Sequence, residues 1–213
     1  SVLLSRLIAH GKVRSVEDLD VSFLGFTMTP MFNATRRVEA DMADSFMVFV
    51  PEAVRSSRPD YRPEVFNTYE HIDAGRRSAA DTLIANNETR KELTKAAMDE
   101  ILAAEQPYAP YLWFSDAKPG VLGLLASNLL QETSMPTMVI NPETLSGSAR
   151  APEWFDVLGF VSQMNDPRLR AQGHHQACGV GFTDTQALAE LMTAIAGYVG
   201  SLPEIDSEDQ RAD

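Results

Sequence analysis

From Tyr69 to Ala104 the sequence carries helical periodicity without relief: Ile72, Ala79, Ala80, Leu83 and Ile84, then Leu93, Ala97, Ile101 and Leu102. A helix over that stretch is roughly 50 Å long at 1.5 Å per residue, more than one small domain needs. An element of that length connects two lobes, and it divides the chain into an N-terminal and a C-terminal part. Asn86-Asn87 marks the place where it would kink or be interrupted. Arg76, Arg77, Arg90 and Lys91 read as its solvated face.

The part before the long helix is helical. Val2, Leu3, Leu4, Leu7 and Ile8 share one face of a helix that Gly11 is placed to stop. Ser15-Val16-Glu17-Asp18 has the Ser-x-x-acid pattern of a helix start. Asp18 and Asp20 lack the further ligands a metal site needs and read as a solvated turn. An apolar run from Phe23 ends at Pro30. Asn33 is placed to cap a helix in which Val38, Met42, Phe46 and Phe49 recur, to about Val50. Arg36 and Arg37 then fall in its first turn, where cations oppose the helix dipole, and their presence points to a bound phosphate or a carboxylate partner. Residues 51–63, with Pro51, Pro59 and Pro63, read as a surface loop.

After Pro107 and Pro110 the pattern becomes α/β. Tyr111 to Phe114 is a buried-strand candidate, Pro119 to Leu130 a helix with proline in its first turn, and Thr137 to Ile140 the next strand. Strand, helix, strand implies a parallel pair with a right-handed crossover. A polar element, Ser146 to Arg150, comes next. Then come a helix from about Trp154 to Met164, a glycine-histidine turn at Gln172 to Gln176, a strand at Cys178 to Phe182 and a helix from Thr185 to Val199. The acidic residues beyond Leu202 read as a frayed tail. The expected fold class is α/β: a helical N-terminal segment (1–68) and a long connecting helix (69–104), then a small α/β domain with a mixed sheet (105–200) and an acidic tail (201–213).

Two pieces of this second half point to an anion. Arg150 offers a fork suited to phosphate, and the glycines around His174-His175 suit close backbone approach. The net charge of −12 argues against nucleic-acid binding by the whole surface and leaves room for a local basic groove. The single cysteine, Cys178, excludes an internal disulfide and a cysteine-based zinc site, reads as a small buried residue, and fits a reducing cytoplasm. No apolar run approaches the ~20 residues of a membrane helix. The chain begins at Ser1 rather than Met, which suggests a fragment or a processed product.

These residues carry a resemblance. Gly173, His174, Ala177, Cys178 and Gly179 are similar to the GGHxxAAG motif of the DHH-associated domain of DHH phosphoesterases, with Gln172 in place of the first glycine and Cys178 in place of an alanine. Gly147-Ser148-Ala149-Arg150 resembles that domain's GSxR element, and Pro119 to Ser127 its PGVIGIVAS helix start, preceded here by Ala117-Lys118 rather than Trp-His. Pro30 to Arg37 resembles the PRINAAGR segment of RecJ single-strand exonucleases, with Arg36 where that pattern has glycine. Leu83 to Lys91 resembles the LNxxR segment of the helix joining the RecJ lobes.

The resemblance implies the C-terminal portion of a RecJ-like 5′ to 3′ single-stranded DNA exonuclease: the end of the catalytic lobe, the connecting helix and the substrate-binding domain. The Asp-His-His motif that holds Mn2+ or Mg2+ in such enzymes is absent from this sequence, and His174-His175 is not that motif. The chain alone is therefore expected to bind no metal, to contain no catalytic residue and to be inactive, and to work with a DHH lobe in the same polypeptide or a separate one. Its implied phosphate contacts are Arg150 and Ser148, with Gly147, His174 and Gly173 around them and Arg37 and Asn33 from the other side. His175 reads as a bystander. Implied with these are single-stranded DNA as partner, roles in DNA repair and recombination, a cytoplasmic location and no membrane. Two other readings stay open: a non-catalytic binding or assembly subunit, and part of a small-nucleotide phosphoesterase.

Overall fold

A computed structural model describes residues 2–39, 42–48, 69–106, 108 and 110–202. The chain divides into two compact units, Ser1–Lys95 and Ala96–Asp213. The boundary falls within one continuous helix, α5 (Tyr69–Ala103).

In the first unit, α1 (Val2–Ala9) is followed by a 3-10 turn at Val16–Asp18. The Asp18 carboxylate accepts the amides of Arg14 and Ser15, as the Ser-x-x-acid pattern suggests, and Asp20 accepts that of Phe23. From α2 (Val21–Phe23) the chain runs through a π-turn (Leu24–Met28) into α3 (Thr29–Glu39), and α4 (Ala43–Met47) comes next. Leu3 and Leu7 of α1, Val13, Met31 of α3, Val48 and Ala79, Ala80, Leu83 and Ile84 of α5 form its core.

Two expectations change here. Pro30 does not end a helix: the chain runs through the π-turn at Leu24–Met28 straight into α3, with Pro30 at its second position. Asn33 is consequently inside α3 rather than at its cap, and Arg36 and Arg37 occupy its last turn, where cations favour the dipole. The expected helix from Val38 to Val50 is instead the end of α3 and the short α4; Phe49 and Val50, like the loop at 51–63 and the acidic tail, lie outside the described residues. Asn86 and Asn87 do not interrupt α5: both are buried in it, and Asn87 Oδ1 accepts from Arg90 Nε and Nη2 at 3.2 and 3.0 Å.

Arg6 clamps Asp81 of α5 with two hydrogen bonds, Nε–Oδ1 at 2.6 Å and Nη2–Oδ2 at 2.8 Å. The guanidinium holds the Asp81 carboxyl below its usual range, and His10 adds to the effect. A carboxylate depressed on folding stabilises above its unfolded pKa and loses that contribution as pH falls through the folded value. Both side chains are about one-third exposed, so Asp81→Asn costs only ~0.5–1 kcal/mol at neutral pH. Denaturant midpoints of parent and variant converge as pH drops below about 4.

The second unit holds a five-stranded mixed sheet in the order β1-β2-β3-β5-β4. Its strands are β1 (Leu112–Phe114), β2 (Thr137–Asn141), β3 (Ser146–Arg150), β4 (Leu169–His174) and β5 (Ala177–Phe182). β1 and β2 are parallel across α6 (Pro119–Thr133), as the strand-helix-strand pattern requires; every other pairing is antiparallel. Pro119 opens α6, and Thr137 Oγ1 ties β2 to the helix through Ala126 O at 2.9 Å.

Alternation assigns the two faces. Leu112, Met138, Ile140, Ala149, Leu169, Cys178, Val180 and Phe182 face a core closed by α7 (Val157–Gln163) and α8 (Thr185–Ser201). Trp113 and Val139 face α6 and the last turns of α5 through Val121, Leu122, Leu125, Leu129, Met98 and Ile101. Cys178 is buried in the first of these cores, and desolvation pushes its thiol pKa up. Among the described residues no helix is long and apolar enough to cross a membrane.

Candidate phosphate-binding face of the sheet

The side of the sheet that carries α6 is covered only in part. The helix lies over β2 and β3. Beyond it, on β5 and β4, the residues on this face are Ala177, Gly179 and Gly181, then Arg170, Gln172 and His174, and of these Gly179, Arg170, Gln172 and His174 are exposed. On β3 the same face carries Ser146, Ser148 and Arg150. Register lines them up in three rows: Arg150–Ala177–His174, Ser148–Gly179–Gln172 and Ser146–Gly181–Arg170.

Arg150 is half-buried and has no carboxylate partner among the described residues. Its Nη1 donates to the carbonyl of Ala149 at 2.7 Å, and burial holds its guanidinium pKa below the ordinary value. A desolvated cation with no carboxylate among the described residues is costly unless something anionic arrives. The seat for it is Gly123 of α6. A Cβ there would lie 2.8 Å from Arg150 Nη2 and 3.4 Å from Ser148 Oγ, so the missing side chain lets both groups converge on one spot. In Gly123→Ala the flexible guanidinium gives way, not the helix. We expect phosphate affinity to fall several-fold while the melting temperature holds or rises, alanine being worth up to ~1 kcal/mol over glycine inside a helix.

The glycines sort into two kinds. At Gly147 a Cβ would stand 1.9 Å from Val139 O, and at Gly173 (φ 145°) 2.7 Å from Ala177 O, so both are demanded by backbone packing. At Gly179 the nearest atoms would be 3.8 and 3.9 Å away, and at Gly181 nothing lies within 4 Å. Packing does not require glycine there; the absence of side chains leaves the strand bare.

Of the residues proposed from sequence, Arg150, Ser148 and His174 thus share one face, with His174 two strands from Arg150 in the same row. Gly147 and Gly173 build the strands beneath them. Asn33 and Arg37 belong to the other unit, four residues apart on α3, Asn33 exposed and Arg37 half-exposed. His175 Nδ1 meets Asp156 Oδ2 at 2.8 Å, and Asp156 also accepts the amide of Gly159 at the start of α7, so this histidine braces the β4–β5 hairpin against α7. Arg170 escaped the sequence reading, although the alternation of Leu169 and Ala171 with Arg170 and Gln172 was there to be seen. Among the described residues no three His, Cys, Asp or Glu side chains gather as a metal site.

Residues 106–201 match the DHHA1 domain family. The chain has the fold of RecJ: over 95% of its length it aligns with RecJ from Thermus thermophilus in complex with Mg2+, at a TM-score of 0.71 and 20% identity, covering 29% of that chain. Over 96% it aligns with the exonuclease RecJ bound to manganese, at a TM-score of 0.68 and 18% identity, covering 48% of it. At such identities the likeness is one of fold, and the chain spans about half or less of the RecJ chains it matches. No curated protein matches the sequence. Residues 106–201 thus match the DHHA1 family model, and the chain shares its fold with part of the RecJ chains. The Mg2+ and Mn2+ of those RecJ structures find no ligand set among this chain's described residues, so no step of chemistry is derived through them. The open face of the sheet lies wholly within the segment that matches the DHHA1 family.

Proposed function

We propose that this chain is the strand-holding portion of a RecJ-like, metal-dependent 5′ to 3′ single-stranded DNA exonuclease, in which a separate DHH lobe hydrolyses the phosphodiester. The observation that carries the reading is Arg150: a half-buried guanidinium with no carboxylate among the described residues, seated with Ser148 over the bare Gly123 beside an open, glycine-floored half-sheet. The fork grips a phosphate with two charged hydrogen bonds, the hydroxyl of Ser148 adds a third donor, and His174 closes the row as a further donor. Gly147 and Gly173 hold the strands, and Asn33 and Arg37, on α3 of the first unit, are further proposed phosphate contacts. Binding by this chain orients the strand and shields the phosphate from solvent. The divalent metal supplies activation of water and charge neutralisation when bound to the DHH lobe. Roles in DNA repair and recombination and a cytoplasmic location belong to this reading.

A non-catalytic binding or assembly subunit is the second reading, favoured by Gln172, Arg36 and Ala117-Lys118, which depart from the pattern the sequence resembles, and by the net charge of −12. A test of the division of labour is incubation of this purified chain with Mn2+ and a 5′-phosphorylated oligonucleotide. The strand is retained and left intact; cleavage that survives rigorous purification places the catalytic metals in this chain and overturns the proposal.

A further inference from the structure

We infer that the bare half-sheet beyond Arg150 is a track for further phosphates of the same strand, ending at Arg170, so that the ligand of this face is a polynucleotide of at least three nucleotides rather than a mono- or dinucleotide. The inference rests on Arg150 as the first phosphate contact and deepens that reading by naming the length of its ligand.

Four observations carry it. Gly179 and Gly181 form a floor that packing does not require, and they lie in β5 between the hydroxyls of Ser146 and Ser148 on β3 and the guanidinium and amide of Arg170 and Gln172 on β4. The trough over them has a volume of about 750 Å3, and Ser146, Arg170, Gln172, Gly179 and Gly181 are among its lining. Arg170 is exposed, and its side chain makes no hydrogen bond or ion pair with the described residues. Arg168 differs: Asp166, Asp184 and Glu190 all engage it, so it is not available to a ligand.

Spacing sets the length. Rows of the sheet are two residues apart, ~6.8 Å along a strand, close to the phosphate repeat of an extended single strand, so the Arg150 and Arg170 rows lie about 13.6 Å apart along it. The middle row offers Ser148 and Gln172, neutral donors for the phosphate between. One row past Arg170, three carboxylates surround one guanidinium, and that negative excess repels any further phosphate. The track therefore begins at Arg150 and stops at Arg170.

The test is a binding series with 5′-phosphorylated deoxythymidine oligonucleotides, a dinucleotide, a tetranucleotide and an octanucleotide, titrated into this chain and its variants over a range of salt. Arg170→Ala leaves dinucleotide affinity unchanged, weakens the tetranucleotide and octanucleotide about fivefold each, and lowers the slope of log affinity against log salt by ~0.7, one phosphate's worth for a single strand. Gly181→Val, whose side chain enters open space, gives the same dependence on length with folding preserved by circular dichroism. Equal weakening of dinucleotide and octanucleotide by Arg170→Ala, or none of either, overturns the track. Failure of the underlying reading looks different: Arg150→Ala would then leave dinucleotide affinity intact.

Discussion

Replacing Arg150 by alanine lowers the affinity of this chain for 5′-phosphorylated single strands roughly 10- to 150-fold, the worth of a charged hydrogen-bonded contact at ~1.5–3 kcal/mol. Stability moves the other way or not at all. The guanidinium is half-buried, donates to one backbone carbonyl and faces no carboxylate among the described residues, so its removal relieves desolvation at the loss of that one hydrogen bond and of no ion pair among them. A structural arginine would show the opposite signature, with stability lost and binding largely kept. Arg150→Lys keeps the charge but not the planar fork, and recovers only part of the affinity. Calorimetric melting and anisotropy titration of the same three proteins separate these outcomes, and a melting temperature that falls with unchanged affinity would assign Arg150 to the scaffold.

The largest effect on stability belongs to Gly147. A Cβ there stands 1.9 Å from Val139 O and 2.9 Å from Ile140 Cα, both backbone atoms of the paired strand, so no side chain can swing aside to admit it. β2 and β3 must separate in the middle of the sheet, with Met138, Val139 and Ile140 on one side of that seam. Gly147→Ala is expected to cost about 4 kcal/mol or more, in the range reserved for backbone clashes in a core. For a domain of this size that lowers the melting temperature by roughly 15–30 °C, at 4–8 °C per kcal/mol. Gly179→Ala, with its nearest neighbours 3.8 and 3.9 Å away, stays within ~0.5 kcal/mol of the parent. Equal melting temperatures for the two variants would mean that β2 and β3 are not paired in this register.

The buried strands β1 and β2 and the helix between them were legible because continuous apolar runs bounded by Pro110, Pro119 and Pro136 leave few alternatives. β3 was not legible as a strand. Ser146-Gly147-Ser148-Ala149-Arg150 buries only Ala149 fully, and it is extended because β2 and β5 pair with it on both edges, a tertiary effect that local propensity does not carry. The glycine-histidine segment read as a turn because His174 to Gln176 is polar; only His175 and Gln176 turn, and the glycine before them is strand. Pro30 misled the reading of α3, since the helical run passes through it after the π-turn at Leu24–Met28, with Met31, Ala34 and Thr35 buried just beyond it.

The candidate site was partly legible in the same sense. Arg150 and Ser148 stood out by chemistry, and the register of the sheet puts His174 on their face. Sequence could not sort the glycines, because a glycine kept for a backbone clash at Gly147 and one that leaves a floor bare at Gly181 look alike until their neighbours are placed. Nor could it show that Arg168 is tied by carboxylates while Arg170 is not, since that depends on Asp184 and Glu190 arriving from α8 and the turn before it.

Arg150 as an anion anchor is tested most directly by titrating this chain with two single strands of one sequence, differing only in a 5′-phosphate or a 5′-hydroxyl. The chain binds the phosphorylated strand at least about tenfold more tightly, a difference of ~1.4 kcal/mol, and Arg150→Ala binds the two alike. Equal affinity of the unaltered chain for both strands would contradict it.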